Sequence, residues 1–274
     1  MKRIEMETEC YAAAAILQSG ESESGILEAA ESSHTPVTKV TMTEMTRAET
    51  LKKYPVLFLP HPQTVTEKTL TMLIEYVKQG GCLIVGAAAG LTNADERSAA
   101  AKNLSTLTGA EAAGGAYVGT GESVYLDFDG QQIDAGTYCE ALKIVSEDAR
   151  VLEIYGGNTA GNPYAGKPAL TERRLGEGRV LRFGGTFTEE LADSLLAYTG
   201  VRNPFGEVIW LPKACRLEVR ENRESRWLYV TNRSDEERCI LLKRECVDAE
   251  TEKTAEGGIT LAAGETKVFK IKAQ

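Results

Sequence analysis

The chain has 274 residues, of which 42% are hydrophobic, so it can bury one large core or two modest ones. Its 31 Lys and Arg residues are outnumbered by 40 Asp and Glu residues, which gives a formal net charge of -9. Because no basic cluster with interleaved aromatic residues interrupts this acidic background, we do not expect nucleic acid as a partner.

The first ten residues, MKRIEMETEC, show no apolar stretch with a small-residue cleavage site, and no later apolar run reaches membrane-spanning length. We therefore expect a cytoplasmic protein with no membrane partner. The six cysteines lack any C-x-x-C pair, which favours reduced, mostly buried thiols over a disulfide framework or a zinc site: Cys10, Cys82, Cys139, Cys215, Cys239 and Cys246. We predict no metal and no other cofactor.

The N-terminal part of the chain mixes strand and helix patterns. The stretch YAAAAILQSG is ambiguous, because alanine favours a helix whereas the topology calls for a first strand at this place. SGILEAAES predicts a short helix, and TPVTKVTM alternates between apolar and polar residues as a strand does.

The clearest pattern runs from Tyr54 to Gly90. VLFLP is a short apolar run, and the next segment places Leu70, Leu73, Ile74 and Val77 on one face of a helix that the glycine pair at 80–81 ends. CLIVG is a second apolar run. Strand, helix and strand in this order predict a parallel pair with a right-handed crossover, and thus a doubly wound sheet.

Short β-like runs follow a predicted helix in SAAAKNLSTLTG: ESVYLDFDG, ALKIV, RVLEIY and PALTERRLGEGRVLRFGG. An amphipathic helix is predicted in TEELADSLLAYTG. From about residue 206 the chain alternates apolar and charged residues between turn-rich joints, which predicts a small antiparallel β domain. We predict an α/β domain over residues 1–205 and the β domain over residues 206–274.

A turn of the form G-x-nucleophile-x-G exposes a reactive side chain above the sheet, because its glycines allow a tight reversal between strand and helix. The chain keeps the glycines of this turn in Gly86, Ala87, Ala88, Ala89 and Gly90. Alanine stands at the central position, and a methyl group cannot attack a carbonyl. We interpret the segment as a degenerate elbow without catalytic residues.

Histidine, the usual base beside a Cys or Ser nucleophile, occurs only at His34 and His61. His61 lies between two prolines at the carboxyl end of a predicted strand, so it is a candidate pocket residue, although a structural role is the simpler interpretation. Cys82 belongs to the beginning of its strand, and we expect it to be a buried thiol at the wrong end of the sheet.

Two further motifs are poor matches to ligand loops. GNPYAGKP fits G-x-x-x-x-G-K, but Pro168 replaces the hydroxyl residue that a phosphate loop requires, and a hairpin pattern follows instead of a helix. Asp127 and Asp129 open a calcium-like D-x-D-G run, yet Tyr138 stands where the closing Glu is needed, so Asp129-Gly130 predicts a hairpin turn.

Two segments carry a resemblance to a known family: YPVLFLPHPQTVTEKTLTMLIEYVKQGGCLIVGAAAGLTN and, more specifically, YAGKPALTERRLGEGRVLRFGG. They resemble the C-terminal part of family 42 β-galactosidases over roughly residues 35–200, and more loosely beyond. The resemblance implies a trimerisation domain with a flavodoxin-like fold, similar to class I glutamine amidotransferases, followed by a small β domain.

In that family both catalytic glutamates belong to an N-terminal (β/α)₈ barrel, which needs about 250 residues of its own. The resemblance therefore implies no catalytic residue at any position of this chain. The expected role is a non-catalytic scaffold, and the expected partners are further copies of the chain in a trimer, or the rest of a parent glycosidase.

Two alternative functions remain. One is an amidotransferase-like hydrolase with an unorthodox site near His61. The other is a carbohydrate-binding module, in which Trp227 of the SRWLYV strand stacks a sugar, although core packing of this side chain is the simpler expectation.

Overall fold

A computed structural model describes residues 7–18, 23–41, 51–60, 62, 65–87, 94–119, 123–128, 130–156 and 163–273. The chain groups into two compact units. Ala14–Glu28 and Thr38–Gly200 form the first, here named the α/β unit. Met1–Ala13, Ala29–Val37 and Val201–Gln274 form the second, here named the β unit.

The α/β unit is built on a mixed sheet whose seven strands are β2 (Ala14–Leu17), β3 (Val37–Val40), β4 (Val56–Leu59), β5 (Cys82–Val85), β10 (Ala149–Ile154), β11 (Pro168–Leu175) and β12 (Gly178–Phe183). Their order is β10-β11-β12-β5-β4-β2-β3. The ladders joining β2, β4, β5 and β12 are parallel, whereas β10, β11 and β12 pair antiparallel.

The strand order of the parallel part confirms the predicted fold class. Counted along the chain, β2, β3, β4, β5 and β12 follow the order 2-1-3-4-5 of flavodoxin-like sheets. The ambiguous stretch around residues 11–20 contains strand β2, and all four of its side chains are buried. Tertiary packing of a fully buried strand thus overrides the helical preference of alanine.

Four helices of the α/β sequence are described: α1 (Ser24–Ser32), α2 (Glu67–Lys78), α3 (Ala94–Thr108) and α4 (Glu189–Tyr198). The hydroxyls of Thr66 and Thr188 accept backbone N–H groups at the starts of α2 and α4, as N-caps do. Leu73 and Val77 of α2 pack in a core that includes Leu83 of β5. No helix in the described ranges is long and apolar enough to cross a lipid bilayer.

Two hairpin-like sheets lie between α3 and β10. The first pairs β7 (Tyr125–Phe128) with β8 (Gln131–Asp134), and Gly130 with its φ of 76° supports the predicted turn, while Asp129 lies outside the described residues. The second pairs β6 (Ala110–Tyr117) with β9 (Tyr138–Ile144). The sequence patterns did not predict β6.

The β unit contains a second seven-stranded sheet, which consists of β1 (Glu9–Cys10), β13 (Ile209–Trp210), β14 (Cys215–Glu221), β15 (Ser225–Asn232), β16 (Arg238–Asp248), β17 (Thr254–Leu261) and β18 (Thr266–Lys272). Its ladders are antiparallel, which confirms the predicted C-terminal architecture. Alternate side chains, including Leu228, Val230 and Phe269, form its core.

Strand β1 explains why N-terminal residues group with the β unit. Glu9 and Cys10 pair with Glu221 and Arg220 of β14, so the beginning of the chain adds a strand to the C-terminal sheet. The predicted boundary between residues 205 and 206 stays a prediction, since a unit defined by proximity need not coincide with a domain that folds independently.

Candidate functional site

The carboxyl ends of β4, β5 and β12 lie side by side in the α/β sheet, and the degenerate elbow begins there. The Gly86 amide donates to the Leu59 carbonyl at 3.0 Å, and the Ala87 amide donates to the Gly185 carbonyl at 3.2 Å. A Cβ atom on Gly86 would lie 2.3 Å from the Pro60 carbonyl oxygen. Glycine is required here by the close approach of two backbones, and Ala87 is fully buried.

Aromatic rings fill the space beside Gly86. Phe58 and Phe187 meet edge to face at 5.7 Å between ring centroids, and Phe183 lies 5.9 Å from Phe187. A Cβ on Gly86 would come within 2.9 Å of the Phe187 ring. In the described residues, this edge of the sheet is therefore a packed apolar layer, the opposite of the polar crevice that a doubly wound enzyme presents there.

The remaining elbow residues, Ala88, Ala89 and Gly90, lie outside the described residues, and so does His61. The degenerate elbow and the pocket role of His61 stay predictions. What the structure adds is the environment of Gly86 and Ala87, which are held by main-chain hydrogen bonds and apolar contacts.

Cys82 lies at the amino ends of the parallel strands, at the other end of β5 from Gly86. It is the first residue of β5, it is buried, and burial raises the pKa of its thiol, while the nearby Arg179 guanidinium offsets part of this shift. The Tyr76 hydroxyl donates to the Cys82 and Tyr54 carbonyls at 3.3 and 2.9 Å. The expectation of a buried thiol away from the carboxyl edge is confirmed.

The prediction that most of the thiols are buried is confirmed. All six are free, and four are buried: Cys82, Cys139, Cys215 and Cys246. Burial raises the pKa of each buried thiol, to about 11 for Cys139. Only Cys10 and Cys239 are exposed. Among the residues that the structure describes, no His, Cys, Asp and Glu side chains gather as a metal site.

The segment from Tyr164 to Gly185 takes part in ion pairs with buried carboxylates, which the sequence patterns did not reveal. Arg182 of β12 donates to the Glu140 carboxylate at 2.8 Å, and both side chains are at most 3% exposed. Glu172 of β11 accepts from Arg150 at 2.5 Å and lies 3.6 Å from Arg179. These carboxylates are neutralised by arginines, so they cross-link strands and are not placed as an acid and nucleophile pair.

The described part of the G-x-x-x-x-G-K match is a turn that leads into a strand. Lys167 donates its amide to the Tyr164 carbonyl at 2.8 Å, Gly166 has a φ of 75°, and Pro168 begins β11. A phosphate loop would lead into a helix, so this motif is not one.

Tyrosines gather on one surface of the α/β unit. The Tyr117 ring is 72% exposed and meets the Tyr138 ring edge to face at 5.2 Å. Tyr164 lies 6.0 Å from the buried Tyr155 ring and close enough to Tyr138 to influence its pKa. We name Tyr117, Tyr138 and Tyr164 the tyrosine surface. Tyrosine is a residue that protein interfaces favour.

Strand β6 and strand β10 add exposed apolar groups to the same unit. Six consecutive residues of β6, numbers 112–117, are exposed, and five of the six are alanine or glycine. On β10, which ends the seven-stranded sheet, Val151 and Ile154 are 40% and 48% exposed. β10 is an edge strand of its sheet, and edge strands are places where a second chain can pair with a sheet.

The two tryptophans both lie in the β unit and differ in exposure. Trp210 is 52% exposed beside its cross-strand partner Leu241, whereas Trp227 is only 9% exposed. The Lys270 ammonium lies 5.5 Å from the centroid of the Trp227 ring. The role of Trp227 in sugar stacking stays a prediction, and its ring lines a cavity rather than standing free on the surface.

Comparison with known proteins gives the family. The family model described as "Beta-galactosidase trimerisation domain" matches residues 37–202, which is more than half of the chain. β-Galactosidase BgaA of Clostridium cellulovorans is 26% identical over 203 residues, which cover 72% of this chain and 30% of that protein. β-Galactosidase BgaH of Haloferax lucentense is 29% identical over 150 residues, which cover 54% of this chain and 22% of that protein.

Solved structures show the same fold over nearly the whole chain. A β-galactosidase from Bacillus circulans sp. alkalophilus matches with a TM-score of 0.79 at 18% identity, covering 98% of this chain and 42% of that one. Gan42B, a GH42 β-galactosidase from G. stearothermophilus, matches with a TM-score of 0.76 at 20% identity, covering 96% of this chain and 40% of that one. α-L-Fucosidase isoenzyme 2 from Paenibacillus thiaminolyticus matches with a TM-score of 0.62 at 13% identity, covering 97% and 49%.

The fold alone does not fix a substrate, since structures named as a β-galactosidase and as a fucosidase both carry it. The chain spans at most about a third of the length of the curated relatives that it matches. The match over residues 37–202 decides the family, and the chain belongs to the β-galactosidase trimerisation-domain family of glycoside hydrolase family 42.

Proposed function

We propose that this chain is a non-catalytic oligomerisation region of a family 42 β-galactosidase and that it assembles as a homotrimer through the α/β unit. Membership of a trimerisation-domain family implies a homo-oligomer, and the number of copies is our proposal. The family match over residues 37–202 is the observation that supports the proposed oligomerisation role. The acid and nucleophile pair that cleaves a glycosidic bond would belong to a part of the parent enzyme outside these residues.

The packing of the α/β unit supports a scaffold role. The sheet edge beside Gly86 is filled by Phe58, Phe183 and Phe187 in the described residues. The buried carboxylates Glu140 and Glu172 are engaged by arginines. These ion pairs link different strands of the unit, which is a structural use of the carboxylates.

We propose that the tyrosine surface, with β6 and β10 beside it, forms the contact between copies. Tyrosine supplies a large contact area at low entropic cost, and a stable interface needs on the order of 800 Å² from each partner. The exposed alanines and glycines of β6 allow close approach of a second backbone. The exposed Ile154 and Val151 are apolar groups that an interface would remove from water.

Light scattering after size-exclusion chromatography tests this proposal. A trimer has a mass of about 89 kDa, three times the 29.7 kDa of one chain. We expect the Tyr117→Lys/Ile154→Lys variant to elute near the mass of one chain, because each contact would bury an unpaired ammonium.

Leu241→Lys is the matched control, since Leu241 is 43% exposed and belongs to the β unit. We expect this variant to keep the mass of the unmodified protein. A monomeric unmodified protein at high concentration would contradict the proposed function. A double variant that still elutes as a trimer would contradict the proposed contact surface but not the proposed trimer.

A further inference from the structure

A cavity of about 440 Å³ opens on one face of the β-unit sheet, well within the size range of small-molecule sites. Trp227 of β15 pairs with Lys270 of β18, and Lys270 pairs in turn with Val247 of β16. Directly opposed residues on neighbouring strands point to the same face, so these three side chains form a continuous row. The row is the floor of the cavity.

The N-terminal segment provides one wall of this cavity. Thr8 lines it, and Arg220 of β14 holds Thr8 in place by donating from Nε to the Thr8 hydroxyl at 2.9 Å and from Nη2 to the Thr8 carbonyl at 2.8 Å. Glu7 stands beside Thr8 in the lining. The loop after β16 provides the opposite wall with Asp248 and Glu252.

Hydrogen bonds order the turn that carries the Asp248 wall. The Oδ1 atom of Asp248 accepts the amides of Glu250 and Thr251 at 2.9 and 2.8 Å, which fixes the turn, and these hydrogen bonds lower the pKa of the Asp248 carboxyl. The Glu252 backbone follows with a φ of 58°. The carboxylate of Glu252 is therefore presented from a turn whose backbone is already ordered, which reduces the entropy lost when a ligand binds.

The charges and the indole restrict the ligand class. Three carboxylates line the cavity against one ammonium, so an anion would be repelled. The Lys270 ammonium already lies 5.5 Å from the centre of the Trp227 ring, where it would repel a second cation. No metal-binding cluster is formed by the described residues. A neutral ligand with several hydroxyl donors and an apolar ring face meets all of these conditions.

We propose that this cavity binds a neutral saccharide, with the Glu252 and Glu7 carboxylates accepting hydrogen bonds from sugar hydroxyls and the Lys270 ammonium donating one. Part of the Trp227 ring would pack against the C–H face of the sugar. This site belongs to the β unit and is independent of the oligomerisation that we propose for the α/β unit.

Tryptophan fluorescence tests the proposal, because the chain has only two tryptophans. In Trp210→Phe, Trp227 is the sole tryptophan, so galactose and lactose titrations report on the cavity alone. We expect a saturable change of emission with at least one of these sugars. Glu252→Gln in the same background removes one charged acceptor and should weaken the binding about tenfold.

Sorbitol and spermidine are the control ligands, an open-chain polyol and a polycation. Lys270→Gln is the second variant, and an unchanged melting temperature shows that a variant is folded. A response to sorbitol equal to that of the sugars would overturn the proposal, and so would a response to spermidine alone. The absence of any saturable sugar response, or full sugar affinity in both variants, would overturn it as well.

Discussion

At the scale of single residues, the buried ion pair between Arg182 and Glu140 has a large effect on stability when one partner is removed. Both side chains are almost fully withdrawn from water, and a second Arg182 nitrogen donates to the Ala110 carbonyl at 2.6 Å. An ion pair in such a place contributes little net stability, but removing one partner leaves an uncompensated buried charge.

We expect Glu140→Gln to lower the free energy of unfolding by about 3–5 kcal/mol, because the Arg182 charge stays buried without its counterion. In the double variant Glu140→Gln/Arg182→Met the buried charge is gone, and we expect a loss smaller than that of the single change. Urea denaturation measures both. A single variant as stable as the unmodified protein would contradict this account of the pair.

His34 gives the β unit a pH dependence. Its side chain is buried, its Nε2 atom lies 3.0 Å from the Leu211 carbonyl, and burial lowers the pKa of the imidazole below its usual value. The unfolded chain therefore takes up a proton at a higher pH than the folded chain does. The contribution of His34 is fully present above the unfolded pKa of about 6.5 and is lost as the pH falls through the window below it.

We expect His34→Asn to lose less stability than the unmodified protein between pH 7 and pH 5. Asparagine tolerates the φ of 53° at this position and does not titrate in that range. Denaturation curves at pH 7, 6 and 5 provide the comparison. The same change of stability with pH in both proteins would show that folding does not shift the pKa of the imidazole.

The sequence predicted some of these residues and missed others for a physical reason. Cys82 could be placed at the start of a buried strand, because the apolar run and the preceding glycines fix its position in β5. The partners Arg182 and Glu140 could not be found. In a strand, a charged residue between apolar ones normally faces solvent, and only the tertiary fold brings the two elements together.

At the scale of elements, the turn after β5 depends on the close approach of two main chains. A methyl group on Gly86 would come 2.3 Å from the Pro60 carbonyl oxygen, whereas Gly156 has no atom nearer than 3.4 Å to such a group. The first distance is far inside van der Waals contact and the second is ordinary.

We expect Gly86→Ala to lower the free energy of unfolding by about 2 kcal/mol or more, since backbone and ring must move apart. Gly156→Ala is the matched control in the same unit, and we expect a change below about 1 kcal/mol. Thermal melting monitored by circular dichroism would measure both. Equal melting temperatures for the two variants would show that the main chain around Gly86 can move to accept a methyl group at little cost in stability.

Helix α1 coincides with the predicted stretch SGILEAAES, and the sequence VLFL forms β4 as expected. Strand β6 was missed because alanine and glycine are poor strand formers, and its sequence AEAAGGAY carries no alternating pattern. Its pairing with β9 supplies what its own residues lack. One reason for the glycine is local: a Cβ on Gly115 would lie 2.3 Å from the Tyr138 hydroxyl.

At the scale of the whole molecule, local patterns joined by connection rules predicted a doubly wound sheet, and the family resemblance implied its flavodoxin-like class. The strand order 2-1-3-4-5 itself is seen only in the folded chain. The predicted strand, helix and strand around residues 54–90 already required a parallel pair, and the neighbouring segments extended it. The contact surface could not be predicted in the same way. The tyrosine surface joins residues from three distant segments, which only the folded chain brings together.

If the α/β unit assembles as proposed, the melting temperature depends on protein concentration. A trimer forms in two association steps, so a tenfold dilution lowers the free energy of unfolding by roughly 0.9 kcal/mol per chain. For a chain of this length, that loss lowers the melting temperature by about 2 °C. Calorimetry at two concentrations measures the drop. The Tyr117→Lys/Ile154→Lys variant should melt at the same temperature at both, and an equally constant value for the unmodified protein would contradict an oligomer held by mass action.

The burial of the thiols has a practical outcome for such measurements. The α/β unit contains Cys82 and Cys139, both enclosed and both with a raised pKa, whereas exposed Cys10 and Cys239 belong to the β unit. Thiolate rather than thiol reacts with an alkylating reagent. A maleimide dye added to the folded protein at neutral pH will accordingly label the β unit alone. In the proposed trimer, energy transfer between the dyes of neighbouring subunits would then report the distances between their β units.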